Sequence, residues 1–177
     1  EKDSSIVTKN ASFNLPTKKN RNGSYKIPSG EMVFTCFTSD FFLKEADAWR
    51  EIVWKMIKER TDLNFFIITK RPDRFFISLP NDWRGGYENV YISCTVENQK
   101  MADFRLPIFL KLPIKHKFIA VSPLLEKINL LPYLNSEIEE VVVGGESGKF
   151  ARICDYRWVL NLRNQCISKD VPFWFHQ

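Results

Sequence analysis

The 177-residue sequence contains no apolar run approaching the ~18 residues that a membrane span needs. No signal-peptide pattern opens it, and four cysteines are too few for a disulfide scaffold. These absences predict a reduced, cytoplasmic setting without a membrane. Cysteine spacing is missing as well. Cys36, Cys94, Cys154 and Cys166 form no CxxC or CxxxC pair, so no zinc or cluster motif lies within the chain, and Cys36, Cys94 and Cys166 are expected to be small buried hydrophobes. The two histidines, His116 and His176, lie far apart without metal-ligand spacing, and no metal site is expected. Nor does one sign of charge dominate. Lys plus Arg number 26 against 21 for Asp plus Glu, and the net +5 is not gathered into one run. Strong binding of duplex nucleic acid is not indicated, whereas a small anionic substrate or a nucleotide stays open.

What is present is apolar and aromatic. Apolar residues make up 44% and aromatics 14%, with 15 Phe, so one domain with a real core is expected. Residues 1–30 differ from the rest: Lys18-Lys19-Asn20-Arg21-Asn22-Gly23 and Pro28-Ser29-Gly30 are turn chemistry with few apolar anchors. They read as a polar extension or lid on a domain spanning 31–177. The sequence opens at Glu1 without Met and stops at Gln177 after a strand-like run, which reads as a piece of a longer protein.

Short runs rich in β-branched and aromatic residues sit at 32–37, 64–69, 90–95, 117–121, 138–143 and 171–175. Near-continuous hydrophobicity of this kind predicts parallel strands buried on both faces. Between them lie helical patterns. Ala46, Trp49, Val53, Met56, Ile57 and Arg60 form one stripe, with Glu51 and Lys55 paired on the other side. Asp155 reads as an N-cap for a helix facing inward through Val159, Leu162 and Cys166. Over 98–111 the pattern predicts two short helices, because Pro107 interrupts it. Six strands alternating with helices fit an α/β fold, either an open doubly wound sheet or a partial β/α barrel. A complete barrel needs ~250 residues.

In parallel α/β folds chemistry collects at the carboxyl ends of the strands. Those positions read Thr38-Ser39-Asp40, Thr69-Lys70-Arg71-Pro72, Thr95-Val96-Glu97-Asn98, Ser122-Pro123, Gly144-Gly145-Glu146-Ser147-Gly148 and His176-Gln177. The glycine-rich turn is not a P-loop. Only three residues separate Gly144 from Gly148, and Phe150 rather than Ser or Thr follows Lys149. Its glycines still allow close approach of backbone to a ligand, and Glu146 suits an amine, a ribose hydroxyl or a metal.

In this order the strand-end motifs resemble a phage-associated family, classed as a domain of unknown function and described by its three-cysteine motif. The resemblance runs from about Met32 to Gln177. It implies an open, partial parallel β/α barrel of six sequential strands, similar to the radical S-adenosylmethionine enzymes. It also implies an N-terminal GC…GC..CY stretch holding a 4Fe-4S cluster in the full-length protein, and a three-Cys-motif partner protein. Ser122 stands where relatives usually have Glu, and His176 where they usually have Lys. On this reading Gly144, Gly145, Glu146 and Ser147 are candidates for holding S-adenosylmethionine. Lys70, Arg71, Asn98 and Gln177 would bind an anionic substrate, and His176, Glu97 and Asp40 are the catalytic candidates. The alternative is a non-catalytic module whose barrel mouth binds a nucleotide or a protein.

Overall fold

The structure is a computed structural model that describes residues 7–36 and 39–176. Thr38 and Gln177, both named above, lie outside the described residues. Six strands form one sheet: β1 (Met32–Thr35), β2 (Asn64–Thr69), β3 (Val90–Thr95), β4 (His116–Val121), β5 (Ile138–Gly144) and β6 (Phe173–His176). Every neighbouring pair is parallel, and the spatial order β1-β2-β3-β4-β5-β6 repeats the sequence order. With no reversal of order, the doubly wound alternative falls away and an open half-barrel stands.

Three helices cover one face of this sheet: α1 (Asp47–Glu59) follows β1, α2 (Gln99–Leu110) follows β3, and α3 (Tyr156–Ser168) follows β5. Side chains alternate across a strand. Phe65, Ile67, Ile92, Cys94, Ile119, Val121, Val141 and Val143 therefore join Trp54, Ile57, Leu106, Phe109 and Leu162 in one buried core. Each such Ile, Leu or Phe contributes about 1.5–3 kcal/mol relative to exposure.

The opposite, concave face differs from expectation. The strands were expected to be buried on both faces, yet Met32, Phe34 and Trp174 are 42%, 56% and 61% exposed. No element among the described residues covers that face, because all three helices pack on the other one.

Two local expectations need correction. α2 runs unbroken through Pro107. The imino residue forfeits one backbone hydrogen bond, but Ala102, Leu106 and Phe109 seat the helix on both sides of it. Cys36 is exposed and lies past the end of β1, where the chain turns with φ of 53°. It is a turn thiol rather than a buried strand residue. Cys94 and Cys166 are buried as expected, Cys154 is half-buried, and all four thiols are free.

Residues 7–30 carry one 3-10 turn (Leu15–Thr17) and one antiparallel bridge between Lys19 and Tyr25. Arg60, fully buried just past α1, ties this stretch down. Its Nε and Nη2 donate to Asp62 at 2.8 and 2.9 Å, Nη2 also donates to the Ile27 carbonyl at 2.8 Å, and Nη1 donates to the Pro16 carbonyl. The guanidinium also lies 4.0 Å from the Tyr25 ring centroid. Truncation leaves two carbonyls and a carboxylate without their donor. Arg60→Ala should cost about 2–3 kcal/mol in denaturant unfolding and bring protease cleavage into 7–30. Unchanged cleavage would show that the stretch is held by other contacts.

Candidate functional site

Because all six strands run parallel, their carboxyl ends share one side of the sheet. A concave cavity of about 1010 Å³ opens there and extends down the inner face. Successive tiers of inward side chains build it. The strand register sets Phe34 beside Phe66, Phe66 beside Tyr91, and Tyr91 beside His116. The next tier carries Ile68, Ser93, Phe118 and Glu140, and the one above it Thr95, Ala120, Val142 and Trp174. Ring centroids 5.5 Å apart for Phe34–Phe66 and 5.2 Å for Phe66–Phe118 make a continuous aromatic floor. These rings come from strands.

At the rim, Asp40, Lys70, Arg71 and His176 line the cavity together with Ser39, Thr69 and Ser122. Glu97, Asn98, Gly144, Gly145, Glu146 and Ser147 are not among its walls. The reasons are local. Asn98 is the N-cap of α2, its Oδ1 accepting from the Met101 amide at 2.9 Å. Glu97 bonds to Lys70 and, at 2.8 Å, to Arg105 from α2. Burial works to raise its pKa, but the Lys70 hydrogen bond and the two cationic charges prevail and hold it below the usual carboxylate range.

Asp40 is 7% exposed and fully engaged. Its Oδ1 accepts from the Phe42 amide and the Thr69 hydroxyl, each at 2.9 Å. Its Oδ2 accepts from the Lys70 amide at 2.8 Å and faces Arg71 Nη1 at 3.0 Å. The carboxylate thus clamps the end of β1 to the end of β2. It fixes where Lys70 and Arg71 leave the sheet.

The glycine-rich turn after β5 is occupied by the chain itself. A methyl group placed on Gly144 would stand 2.7 Å from Cε1 and 2.8 Å from Nε2 of His176, and 3.0 Å from Ser122 Oγ. Only glycine lets the imidazole and the hydroxyl close over that backbone. Both carboxylate oxygens of Glu146 are taken by Arg152, through Nη2 at 2.6 Å, Nε at 2.8 Å and the backbone amide at 2.9 Å. Those hydrogen bonds bring its pKa down to about 2.

Neither implied cofactor fits these residues. The four cysteines lie apart on β3, α3 and two loops, and burial pushes the Cys94 and Cys166 thiols up to about 12 and about 11, against the thiolate a cluster needs. Among the described residues no group of three His, Cys, Asp or Glu is placed to hold a metal ion. An amine arriving at Glu146 would have to displace Arg152. No helix is long and apolar enough to cross a membrane, again among the described residues.

Three participants escaped the sequence reading. Arg105 and Arg152 stand eight and six residues beyond the carboxylates they neutralise. Glu140 faces the cavity from inside β5, where the strand-end rule does not look. A polar residue at an inward position of Ile138-Glu139-Glu140-Val141-Val142-Val143 was the available signal.

A folded-state pKa held low means stability that is present above the ordinary Glu pKa of about 4.3 and lost as pH falls through the folded value. Glu97→Gln should therefore cost about 1–3 kcal/mol near neutral pH, with the gap to the parent closing below about pH 4 in thermal melts. A gap constant from pH 3 to 7 would mean that Glu97 acts by packing alone.

Comparison with curated proteins and with solved structures returns no match. A family model does match, across residues 2–177, and its description is Protein of unknown function (DUF5131). That span is nearly the whole chain, and the protein belongs to this family.

Proposed function

We propose that this half-barrel binds a small organic anion with a flat apolar body, of the nucleotide class, on its concave face. The observation that carries the reading is the cavity of about 1010 Å³, with aromatic side chains on its floor and Lys70, Arg71 and His176 at its rim. Small-molecule sites combine apolar walls with a few convergent polar groups, and in parallel α/β folds they lie at the strand carboxyl ends. Lys70 is half-exposed and leans on Glu97 from one side only, which leaves its ammonium able to meet a phosphate.

A barrel mouth of this kind is compatible with catalysis on the bound anion. His176 is the group best placed for proton transfer, since its ring lies over Gly144 and lines the cavity without a hydrogen bond to another described residue. Asp40 and Glu97 instead position the cationic rim.

The measurement is titration with uridine, adenosine and guanosine 5′-monophosphates, followed by NMR of the histidine rings. The His176 resonances should move, and Lys70→Ala should weaken binding about tenfold for every base, since one phosphate contact is worth about 1.4 kcal/mol at that ratio. Absence of any His176 response to all three would contradict the reading.

A second reading follows from the resemblance together with the sequential parallel half-barrel. It is a phage-related, cytoplasmic radical-SAM-like enzyme acting beside a three-Cys-motif partner. Its 4Fe-4S cluster would be held by cysteines other than the four of this chain. Anaerobic purification of the full-length protein should then show iron–sulfur charge-transfer absorbance, and a colourless, iron-free preparation would discard it.

A further inference from the structure

Glu140 is the one cavity feature that the rim chemistry leaves unexplained. It projects from the middle of β5 onto the concave face, in the same tier as Phe118 of β4. The acidic residues singled out at the strand ends each have a cationic partner: Asp40 has Arg71, Glu97 has Lys70 and Arg105, and Glu146 has Arg152. Glu140 makes no hydrogen bond or ion pair to any described residue, and burial raises its pKa. A carboxylate set among aromatic rings without a partner is unfavourable for folding alone, because a partly desolvated charge loses water and gains nothing. Such a group is expected where a ligand supplies the missing donors.

The surroundings narrow the donor. Phe34, Phe66 and Phe118 form an unbroken aromatic floor that favours a flat ring lying on it. Gly144, where His176 and Ser122 close the rim, stands four positions beyond Glu140, which at ~3.3 Å per residue places the two ends of the site ~13 Å apart. A single ammonium group satisfies the carboxylate but not that length or that floor. A guanine ring satisfies all three. Its N1–H and exocyclic N2–H lie side by side and match the two oxygens of a carboxylate, its plane stacks on aromatic faces, and its 5′-phosphate falls at the rim.

We infer that Glu140 is the base-reading residue of the site and that the ligand is a guanine nucleotide, held by paired N–H donation to the Glu140 carboxylate with its phosphate at the His176 rim. This rests on the reading of the cavity as an anion site. It goes further by assigning one residue to specificity. Adenine presents an acceptor at N1 and no donor at C2, so it leaves the carboxylate unpaired. Hypoxanthine keeps N1–H but lacks the second donor.

The test is calorimetric titration of the parent protein and of Glu140→Gln with guanosine, inosine and adenosine 5′-monophosphates. The parent should bind in the order guanosine, inosine, adenosine, with tenfold or more between first and last. In Glu140→Gln the guanosine preference should disappear, since the isosteric amide keeps shape but offers one acceptor and one donor, which suits the N1 acceptor of adenine and mismatches the paired N–H donors of guanine. The three-ligand ranking on the parent protein stands by itself if that variant folds poorly. Equal binding of the three nucleotides, with His176 still responding, would overturn the guanine assignment and leave the anion site intact. No binding of any of them would overturn both.

Discussion

The unequal cover of one sheet governs everything else in this molecule. Three helices lie on the convex face and bury alternate side chains of the four central strands, from Phe65 and Ile67 to Val141 and Val143, with Val33 and Phe173 of the edge strands partly buried beside them. Strand geometry then leaves the intervening residues no choice of direction. Phe34, Phe66, Tyr91, Phe118 and Trp174 must face the concave side, which holds a cavity in place of a second layer. In the described part of the protein, stability and ligand capacity are thus separated by one-residue alternation. A slip of register by one residue would exchange them.

Charge follows the same division. Arg50, Arg60 and Lys117 are buried and saturated by carbonyls and carboxylates, so they act as structural ties. At the rim, Asp40 is locked among two amides, a hydroxyl and Arg71, while Glu97 is shared between Lys70 and Arg105. These carboxylates spend their acceptor capacity inside the protein and orient cations toward the opening. Among the carboxylates, cations and imidazole that line the cavity, His176 and Glu140 make no hydrogen bond or ion pair to another described residue. The site therefore offers cationic and imidazole groups at its rim and one carboxylate at depth.

The sequence already contained the strand positions, because short β-branched and aromatic runs bounded by turn residues have few other solutions. The strand pattern left the doubly wound sheet and the half-barrel both open, and the resemblance implied the half-barrel; most of the rim was also marked, since Lys70, Arg71 and His176 stand at or just past the ends of their strands. Three things were hidden. Continuous apolar strands read the same whether the second face meets helices or a cavity, so the openness of the concave side was invisible. Pairings such as Glu146–Arg152 depend on loop conformation, which spacing does not encode. Asn98 looked like a ligand group because an N-cap and a binding carboxamide occupy the same place after a strand. Glu140 lies inside β5, where the rule that chemistry collects at strand ends does not reach.

The central claim is that ligand meets the concave face while the convex face only holds the fold. Five tryptophans offer an internal control, because Trp174 faces the cavity while Trp54 and Trp83 are buried in the core. Fluorine NMR of protein labelled with 5-fluorotryptophan, titrated with guanosine 5′-monophosphate, reads both faces in one spectrum. The account predicts a saturable shift of the Trp174 signal, assigned by Trp174→Phe, with the Trp54 and Trp83 signals unmoved. A stationary Trp174 signal, or a response confined to Trp54 and Trp83, would contradict it.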